Sequence, residues 1–114
     1  AIEKASGDKP HYLRPPEGKI NKDILKTAAN SGQQVVLWSV NPQDWEATNY
    51  KAIVNDVVKD TEKGGIIRLH GSDSAIQTYK ALPLIIEELK NRDFSFVTLQ
   101  ELVSNSTTHT KNIQ

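Results

Sequence analysis

The stretch Gln34–Val40 reads Gln-Val-Val-Leu-Trp-Ser-Val, an apolar run that is typical of a buried strand. A helical pattern follows it, and a second apolar run, Gly65–His70, comes after that helix. Shorter runs at Tyr12–Arg14 and Ser95–Thr98 predict two more strands. Because the apolar strands alternate with helices, the sequence predicts an α/β fold built from parallel βα units.

Three helices are predicted between these strands. Asn21 is a capping residue at the start of the first, and Gly32 lies where a left-handed residue ends a helix. The second has apolar residues at helical spacing, namely Tyr50, Ile53, Val54, Val57, Val58 and Thr61. The third has another apolar stripe, namely Ile76, Tyr79, Leu82, Ile86 and Leu89. Pro83 within this stripe removes a backbone donor and predicts a kink or a restart.

The composition limits the class of protein. A chain of 114 residues is long enough for one small domain or for about half of a barrel domain. Its 14 basic and 14 acidic residues cancel, which argues against a nucleic-acid partner. The absence of cysteine excludes disulfides and thiolate chemistry, and no apolar run approaches the length of a membrane span. Ala1–Pro10 has no signal-peptide pattern, and residues 104–114 are polar enough to predict a disordered tail.

Polar and aromatic residues follow three of the predicted strands. In parallel βα folds the carboxyl ends of strands meet at one rim, where active sites form. His70 at this rim predicts a general acid, because imidazole changes charge near neutral pH; a structural histidine is the alternative. Arg14 is either a bidentate partner for a carboxylate or a solvated surface residue. Asp44 and Trp45 either position a partner and wall a pocket, or serve as a helix cap and a core aromatic.

Three segments resemble motifs of the polysaccharide deacetylases, carbohydrate esterase family four. Tyr12–Gly18 is similar to the third motif of that family, Trp38–Trp45 to the fourth and Ile66–His70 to the fifth. The residues after His70, including Gln77-Thr78 and Ala81–Pro83, are most similar to the sporulation-associated branch. Residues 1–103 therefore resemble the C-terminal half of a polysaccharide deacetylase domain.

The resemblance implies the C-terminal part of a distorted, TIM-like (β/α) barrel with parallel strands and outer helices. It implies a hydrolase that removes N-acetyl groups from amino sugars of peptidoglycan, chitin or related glycans outside the cytoplasm. The family uses a divalent metal, usually zinc, to polarise the amide carbonyl and the attacking water. Its catalytic base and metal ligands belong to two motifs that are not present in this sequence. They are expected from the N-terminal half of the same domain, so this chain alone is expected to be inactive.

Roles for individual residues follow from the same resemblance. Arg14 would orient the missing base, and Trp45 would line the substrate pocket. His70 would protonate the departing sugar amine, and Asp44 matches an acidic position where a salt bridge or a cap is expected. Leu69 of the fifth motif is a further predicted substrate-binding residue.

Three departures from the family pattern predict reduced or altered activity. Glu17 replaces the usual aromatic residue, which removes pocket surface but leaves a backbone N–H for an oxyanion. Asn41 stands where an aspartate is expected to support His70, which would deprive the imidazole of a neighbouring negative charge. Arg68 replaces a leucine, and strand alternation directs it to the same face as His70. Asn41→Asp with Arg68→Leu should therefore raise acetate release by a complete domain.

Two other classes of function stay open from the sequence. One is a catalytically silent domain that binds cell-wall glycan or has a structural role while retaining the deacetylase fold. The other is an unrelated small α/β interaction module, against which the three ordered motifs argue.

Overall fold

The computed structural model describes residues 2–105. The chain divides between Leu37 and Trp38 into two compact units. Each unit contains helices and a parallel pairing of extended segments, in agreement with the predicted α/β class.

The first unit contains the parallel strand pair predicted from its apolar runs. Its elements in chain order are α1 (Ile2–Ser6), β1 (Tyr12–Leu13), a 3-10 turn (Pro16–Gly18), α2 (Lys22–Asn30) and β2 (Gln34–Val35). In the pair, Tyr12 lies opposite Gln34 and Leu13 opposite Val35. The backbone N–H of Val36 extends the pairing by donating to the Leu13 carbonyl at 2.8 Å.

The predicted boundaries of α2 are confirmed. The Asn21 side chain accepts a hydrogen bond from the Ile24 backbone N–H at 2.8 Å, which satisfies one of the unpaired donors at a helix start. Gly32 follows the helix with a φ of 71°, a left-handed conformation that costs glycine little.

The second unit contains the two longest helices. Its elements are a 3-10 turn (Asp44–Glu46), α3 (Tyr50–Asp60) and α4 (Ile76–Asn91), and residues 99–105 are also helical. Val40 and Ile67 form a parallel bridge, in which the Arg68 N–H donates to the Val40 carbonyl at 2.9 Å. The runs predicted as strands at 34–40 and 65–70 are therefore extended and parallel-paired, but shorter as strands than predicted. A continuous strand needs a hydrogen-bonded neighbour along its whole length.

The core of the second unit lies between α3 and α4. The helix predicted from Tyr50 to Thr61 is confirmed, with Asn49 as its cap and Thr61 directly after its last residue. Its most buried side chains pack with those of α4, and the cluster comprises Ile53, Val57, Ala81, Ile85 and Leu89. Ile67 and Leu69, from the segment that ends at His70, pack against the same cluster. The core therefore fixes the position of the chain immediately before His70.

The prediction for α4 is wrong about its buried face. The helix runs from Ile76 to Asn91 through Pro83, so it does not restart there, and a kink at Pro83 stays a prediction. Of the predicted stripe, Ile76, Tyr79 and Leu82 are exposed, whereas Leu89 is buried. The buried residues of α4 are Thr78, Ala81, Ile85 and Leu89. Both faces carry apolar residues, so spacing alone does not select the buried one.

The strand predicted at Ser95–Thr98 is also wrong. These residues have no regular secondary structure, and Phe96 and Val97 are exposed. Thr98 instead starts the final helical segment, because its hydroxyl accepts the Glu101 N–H at 3.2 Å. Residues 104 and 105 belong to that segment, and the rest of the predicted tail, 106–114, lies outside the described residues. Within residues 2–105 no helix is long and apolar enough to cross a membrane.

Candidate active site

Asp44 is buried at the start of the 3-10 turn that follows the Val40–Ile67 bridge. It is 3% exposed, which is rare for a carboxylate unless its oxygens are hydrogen-bonded. Gln43 just before it has left-handed backbone angles, φ 52° and ψ 48°, and its N–H donates to the Asn41 side chain at 3.2 Å. The buried carboxylate of Asp44 therefore follows directly after a left-handed turn residue.

Three hydrogen bonds hold the Asp44 carboxylate. Oδ1 lies 2.8 Å from Nδ1 of His70. Oδ2 accepts the His70 backbone N–H at 2.7 Å and the Thr78 hydroxyl, also at 2.7 Å. An ionised carboxylate can only accept, so Nδ1 of His70 carries the proton in this contact. The hydrogen bond at Nδ1 therefore fixes the orientation of the imidazole, and Nε2 is the ring nitrogen on the opposite side from Asp44.

The hydrogen bonds keep Asp44 ionised although it is buried. Burial by itself would raise the pKa of Asp44, because a charge is removed from water. The His70 backbone N–H, the Thr78 hydroxyl and the His70 imidazole outweigh this effect and lower the pKa below its ordinary value of 3.8. At neutral pH the Asp44–His70 pair thus contains a carboxylate that holds an imidazole.

Trp45 and Arg68 lie beside this pair. The rings of Trp45 and His70 are 5.0 Å apart between centroids, with an interplanar angle of 59°. The Arg68 guanidinium carbon lies 4.2 Å from the centroid of the Trp38 ring and 5.7 Å from that of Trp45. The structure therefore brings together a general-acid candidate, two indoles and a cation. Contact of both His70 and Arg68 with Trp45 agrees with the prediction that they share a face.

His70 has a supporting carboxylate although position 41 is neutral. Asn41 bonds to the local backbone of its own turn, and Asp44 is the residue that binds the imidazole. The charge expected to be missing at Asn41 is therefore provided by Asp44, where a salt bridge was one of the two expected roles. Leu69 packs against the hydrophobic core, so its prediction as a substrate-binding residue receives no support.

Arg14 and Glu17 belong to the first unit. A guanidinium nitrogen of Arg14 donates to the Leu37 carbonyl at 3.4 Å, at the end of the β1–β2 pair. Glu17 occupies the left-handed region, with a φ of 58°, inside the Pro16–Gly18 turn. Its carboxylate forms an exposed ion pair with Lys19 at 3.0 Å. Roles for Arg14 and Glu17 at an active site stay predictions.

Thr78 was not predicted from the sequence as a residue of this site. It is 4% exposed and donates its hydroxyl to Asp44. One signal was available, because Thr78 lies at helical spacing before the apolar residues Ala81 and Ile85. A lone hydroxyl on the buried face of a helix needs a partner, and that requirement points to a buried acceptor.

The described residues do not form a metal site by themselves. Among residues 2–105 there is no group of three His, Cys, Asp or Glu side chains suited to holding a metal ion. The expectation that metal ligands come from the N-terminal half of a complete domain stays a prediction. The contacts of Asp44, Trp45 and His70 are suited to orienting an imidazole beside an indole.

Curated proteins are similar to this chain over most of its length, although no protein-family model matches it. It is 44% identical over 97 residues to the peptidoglycan-N-acetylglucosamine deacetylase of Bacillus cereus, which covers 82% of this chain and 46% of the relative. It is 36% identical over 118 aligned positions to the chitooligosaccharide deacetylase of Rhizobium leguminosarum bv. phaseoli, which covers 92% of this chain and 52% of that relative. The chain thus spans about half the length of these relatives.

Solved structures match the fold. The peptidoglycan deacetylase PdaC from Bacillus subtilis superposes with a TM-score of 0.81 and 32% identity, over 98% of this chain and 54% of that protein. A pseudoenzyme of the CE4 family from Bacillus anthracis gives a TM-score of 0.79 and 26% identity, over 89% of this chain and 35% of that protein. The predicted fold class, the C-terminal part of an α/β barrel, is confirmed by these matches.

Proposed function

We propose that this chain, which belongs to carbohydrate esterase family 4 of the polysaccharide deacetylases, supplies the general acid of a glycan N-deacetylase site. The substrate class is the N-acetylated amino sugars of peptidoglycan or chitin-like glycans, on which the named relatives act. The observation that carries the proposal is the 2.8 Å contact between buried Asp44 and Nδ1 of His70.

In this proposal His70 protonates the departing sugar amine through Nε2. The Asp44 carboxylate holds Nδ1–H, so the imidazole can gain and lose a proton at Nε2 without changing its orientation. Protonation of the nitrogen allows the C–N bond of the tetrahedral intermediate to break, because an amine leaves far more readily than an amide anion.

Trp45 lines the pocket beside the acid. Its indole lies 5.0 Å from the imidazole ring and is 49% exposed, so a sugar can stack on the open part of the ring. Arg68 brings a positive charge next to the same indole. Arg68→Leu combined with Asn41→Asp should raise acetate release by a complete domain, as the departures from the family pattern predict.

The remaining groups of the site come from the N-terminal half of the same domain. That half supplies the base, oriented by Arg14, and the ligands of a divalent metal, with zinc as the proposed ion. The metal would activate the attacking water and polarise the acetyl carbonyl. Since the substrates are wall or chitin-like glycans, the protein acts outside the cytoplasm, and the similarity to the sporulation-associated branch favours a role in spores.

A catalytically silent glycan-binding domain is the second candidate. Its support is the CE4 pseudoenzyme of Bacillus anthracis, which has the same fold over most of this chain. The two functions require the same pocket but make opposite predictions about acetate release.

The proposal can be tested with a fusion protein in which the N-terminal half of the Bacillus cereus relative precedes this chain. The fusion should release acetate from chitooligosaccharides or peptidoglycan in a manner that a chelator abolishes. His70→Gln should lower kcat by about 100-fold or more, because a positioned general acid contributes at least that factor. His11→Gln is the matched control, since His11 is an exposed histidine of the first unit, and should leave the rate unchanged.

Three results separate the candidates. Chelator-sensitive acetate release that depends on His70 supports the deacetylase. Retention of the full rate by His70→Gln overturns the proposed role of the acid. A folded fusion that binds the glycan but releases no acetate favours the silent domain.

A further inference from the structure

Three consecutive side chains in the first turn of α4 each bind a different segment of the second unit. We name Gln77–Tyr79 the support turn. Oε1 of Gln77 accepts the backbone N–H of Tyr50 at 2.9 Å. The Thr78 hydroxyl donates to Oδ2 of Asp44 at 2.7 Å, and the Tyr79 hydroxyl donates to the Gly71 carbonyl at 3.0 Å.

The partners of the support turn are Asp44 itself and residues that follow Asp44 and His70 in the chain. Tyr50 is the first residue of α3, which follows the turn that contains Asp44. Gly71 is the residue directly after His70. The support turn therefore binds the carboxylate itself and the chain that follows each member of the pair. Such an arrangement restrains both residues relative to one helix, which the core in turn fixes through Ala81 and Ile85.

Thr78 has the most direct contact of the three. With its hydroxyl and the His70 N–H both on Oδ2, rotation of the carboxylate would break two short hydrogen bonds. Oδ1 consequently stays directed at Nδ1 of His70. Removal of the Thr78 hydroxyl should raise the pKa of Asp44. Burial raises that pKa, and the Thr78 hydroxyl is one of the groups that lower it.

We propose that Thr78 is a positioning residue for the acid His70, acting through Asp44, and that the first turn of α4 is thereby part of the deacetylation machinery. The inference rests on the proposed function only for its catalytic consequence. Its structural consequence, a fixed Nδ1–H tautomer of His70, is a property of the pair itself and can be measured without substrate.

The first experiment measures the tautomer in this chain. Long-range ¹H–¹⁵N NMR of the imidazoles is recorded at pH 8, where an unperturbed imidazole is neutral. Thr78→Val should lower the ratio of the Nδ1–H to the Nε2–H form of His70 by about fivefold, and Thr78→Ser should restore it. Thr61→Val is the matched control, because the Thr61 hydroxyl donates to the Val57 carbonyl of α3 at 2.6 Å, a contact within one segment of the chain. An unchanged ratio in folded Thr78→Val overturns the proposal.

The second experiment measures kinetics in the fusion with the Bacillus cereus half. Thr78→Val should lower kcat by about tenfold with less than about a twofold change in KM, because the hydroxyl touches no substrate. Thr78→Ser should recover most of the rate. If the tautomer ratio responds but the native fusion shows no activity, the positioning role stands and the proposed function fails. If the fusion is active and Thr78→Val retains the full kcat, the positioning role fails alone.

Discussion

α3 and α4 pack against each other, yet the sequence predicted their buried faces with different success. The apolar stripe of α3 points to Ile53 and Val57, and both are buried. In α4 the residues Ile76, Tyr79 and Leu82 suggested a stripe, but they are exposed and the covered face begins at Thr78. The stripe of α3 has polar residues on either side, whereas the apolar residues of α4 extend around much more of the helix.

The difference shows what hydrophobic spacing measures. Spacing identifies the buried face where polar residues exclude the alternatives, as in α3. In α4 a polar residue, Thr78, is buried because Asp44 provides a hydrogen-bond partner, and apolar residues stay exposed on the neighbouring face. The buried face of α4 thus contains both an apolar cluster and a threonine whose hydroxyl is satisfied by a tertiary contact, and apolar spacing detects only the former.

The largest expected effect tests the buried face of α4 directly. Leu89→Ala should lower the free energy of unfolding by about 3 kcal/mol, because a side chain that is 1% exposed leaves a cavity in the core. The matched change Leu82→Ala, on the same helix at a residue that is 41% exposed, should cost less than about 1 kcal/mol. Urea unfolding followed by circular dichroism measures both. Equal losses of stability in the two variants would show that Leu82 is as buried as Leu89.

A smaller effect tests why α4 buries a threonine. Asp44→Asn should destabilise the chain by about 2 kcal/mol at pH 7, because the charged acceptor for Thr78 and His70 is lost. The pKa of Asp44 is lower in the folded chain than its ordinary 3.8, so its contribution is fully present above that value and is lost as the pH falls through the lowered pKa. The gap between native and variant stability should therefore narrow at pH values below 3.8.

The control for this prediction moves the carboxylate within the loop. The double variant Asp44→Asn with Asn41→Asp keeps the net charge and places the acid where the sequence suggested it belonged. Because Asn41 binds the local backbone, the double variant should be no more stable than Asp44→Asn. If the double variant has native stability in urea unfolding, an aspartate at position 41 can support the His70 imidazole in place of Asp44.

The smallest effect contrasts the two helix starts. Asn49 caps α3 by accepting the Lys51 N–H at 2.9 Å, whereas Ala75 at the start of α4 provides no side-chain cap. Asn49→Ala should cost about 1 kcal/mol. Asn55→Ala, an exposed position inside α3, is the control and should be neutral or slightly stabilising, because alanine has the higher helix propensity. Thermal unfolding of the two variants distinguishes a cap from a general effect of asparagine.

Much of the fold could be predicted from local signals. The Asn21 cap, the Gly32 terminator and the α3 stripe each depend on residues within a few positions of one another, and all three are confirmed. The strand at Ser95–Thr98 was wrong because an apolar run forms a strand only beside a hydrogen-bonding neighbour, and the run does not specify that neighbour.

The sequence predicted which residues belong to the site, but not which of them form hydrogen bonds with one another. His70, Asp44, Trp45 and Arg68 were all named, and they lie together in the second unit. That Asp44 contacts the imidazole could not be read from the sequence, because the contact joins residues 26 positions apart.

The sequence by itself determined the α/β class, the boundaries of α2 and α3 and the residue types that acid catalysis requires, because each of these depends on short spacing or on side-chain chemistry. Only the tertiary structure decided that Asp44 holds His70, that Thr78 holds Asp44 and that Leu69 faces the core. The physical reason is that a buried carboxylate is stable only where several donors converge on it, and here the donors come from segments 26 and 34 positions away in the chain.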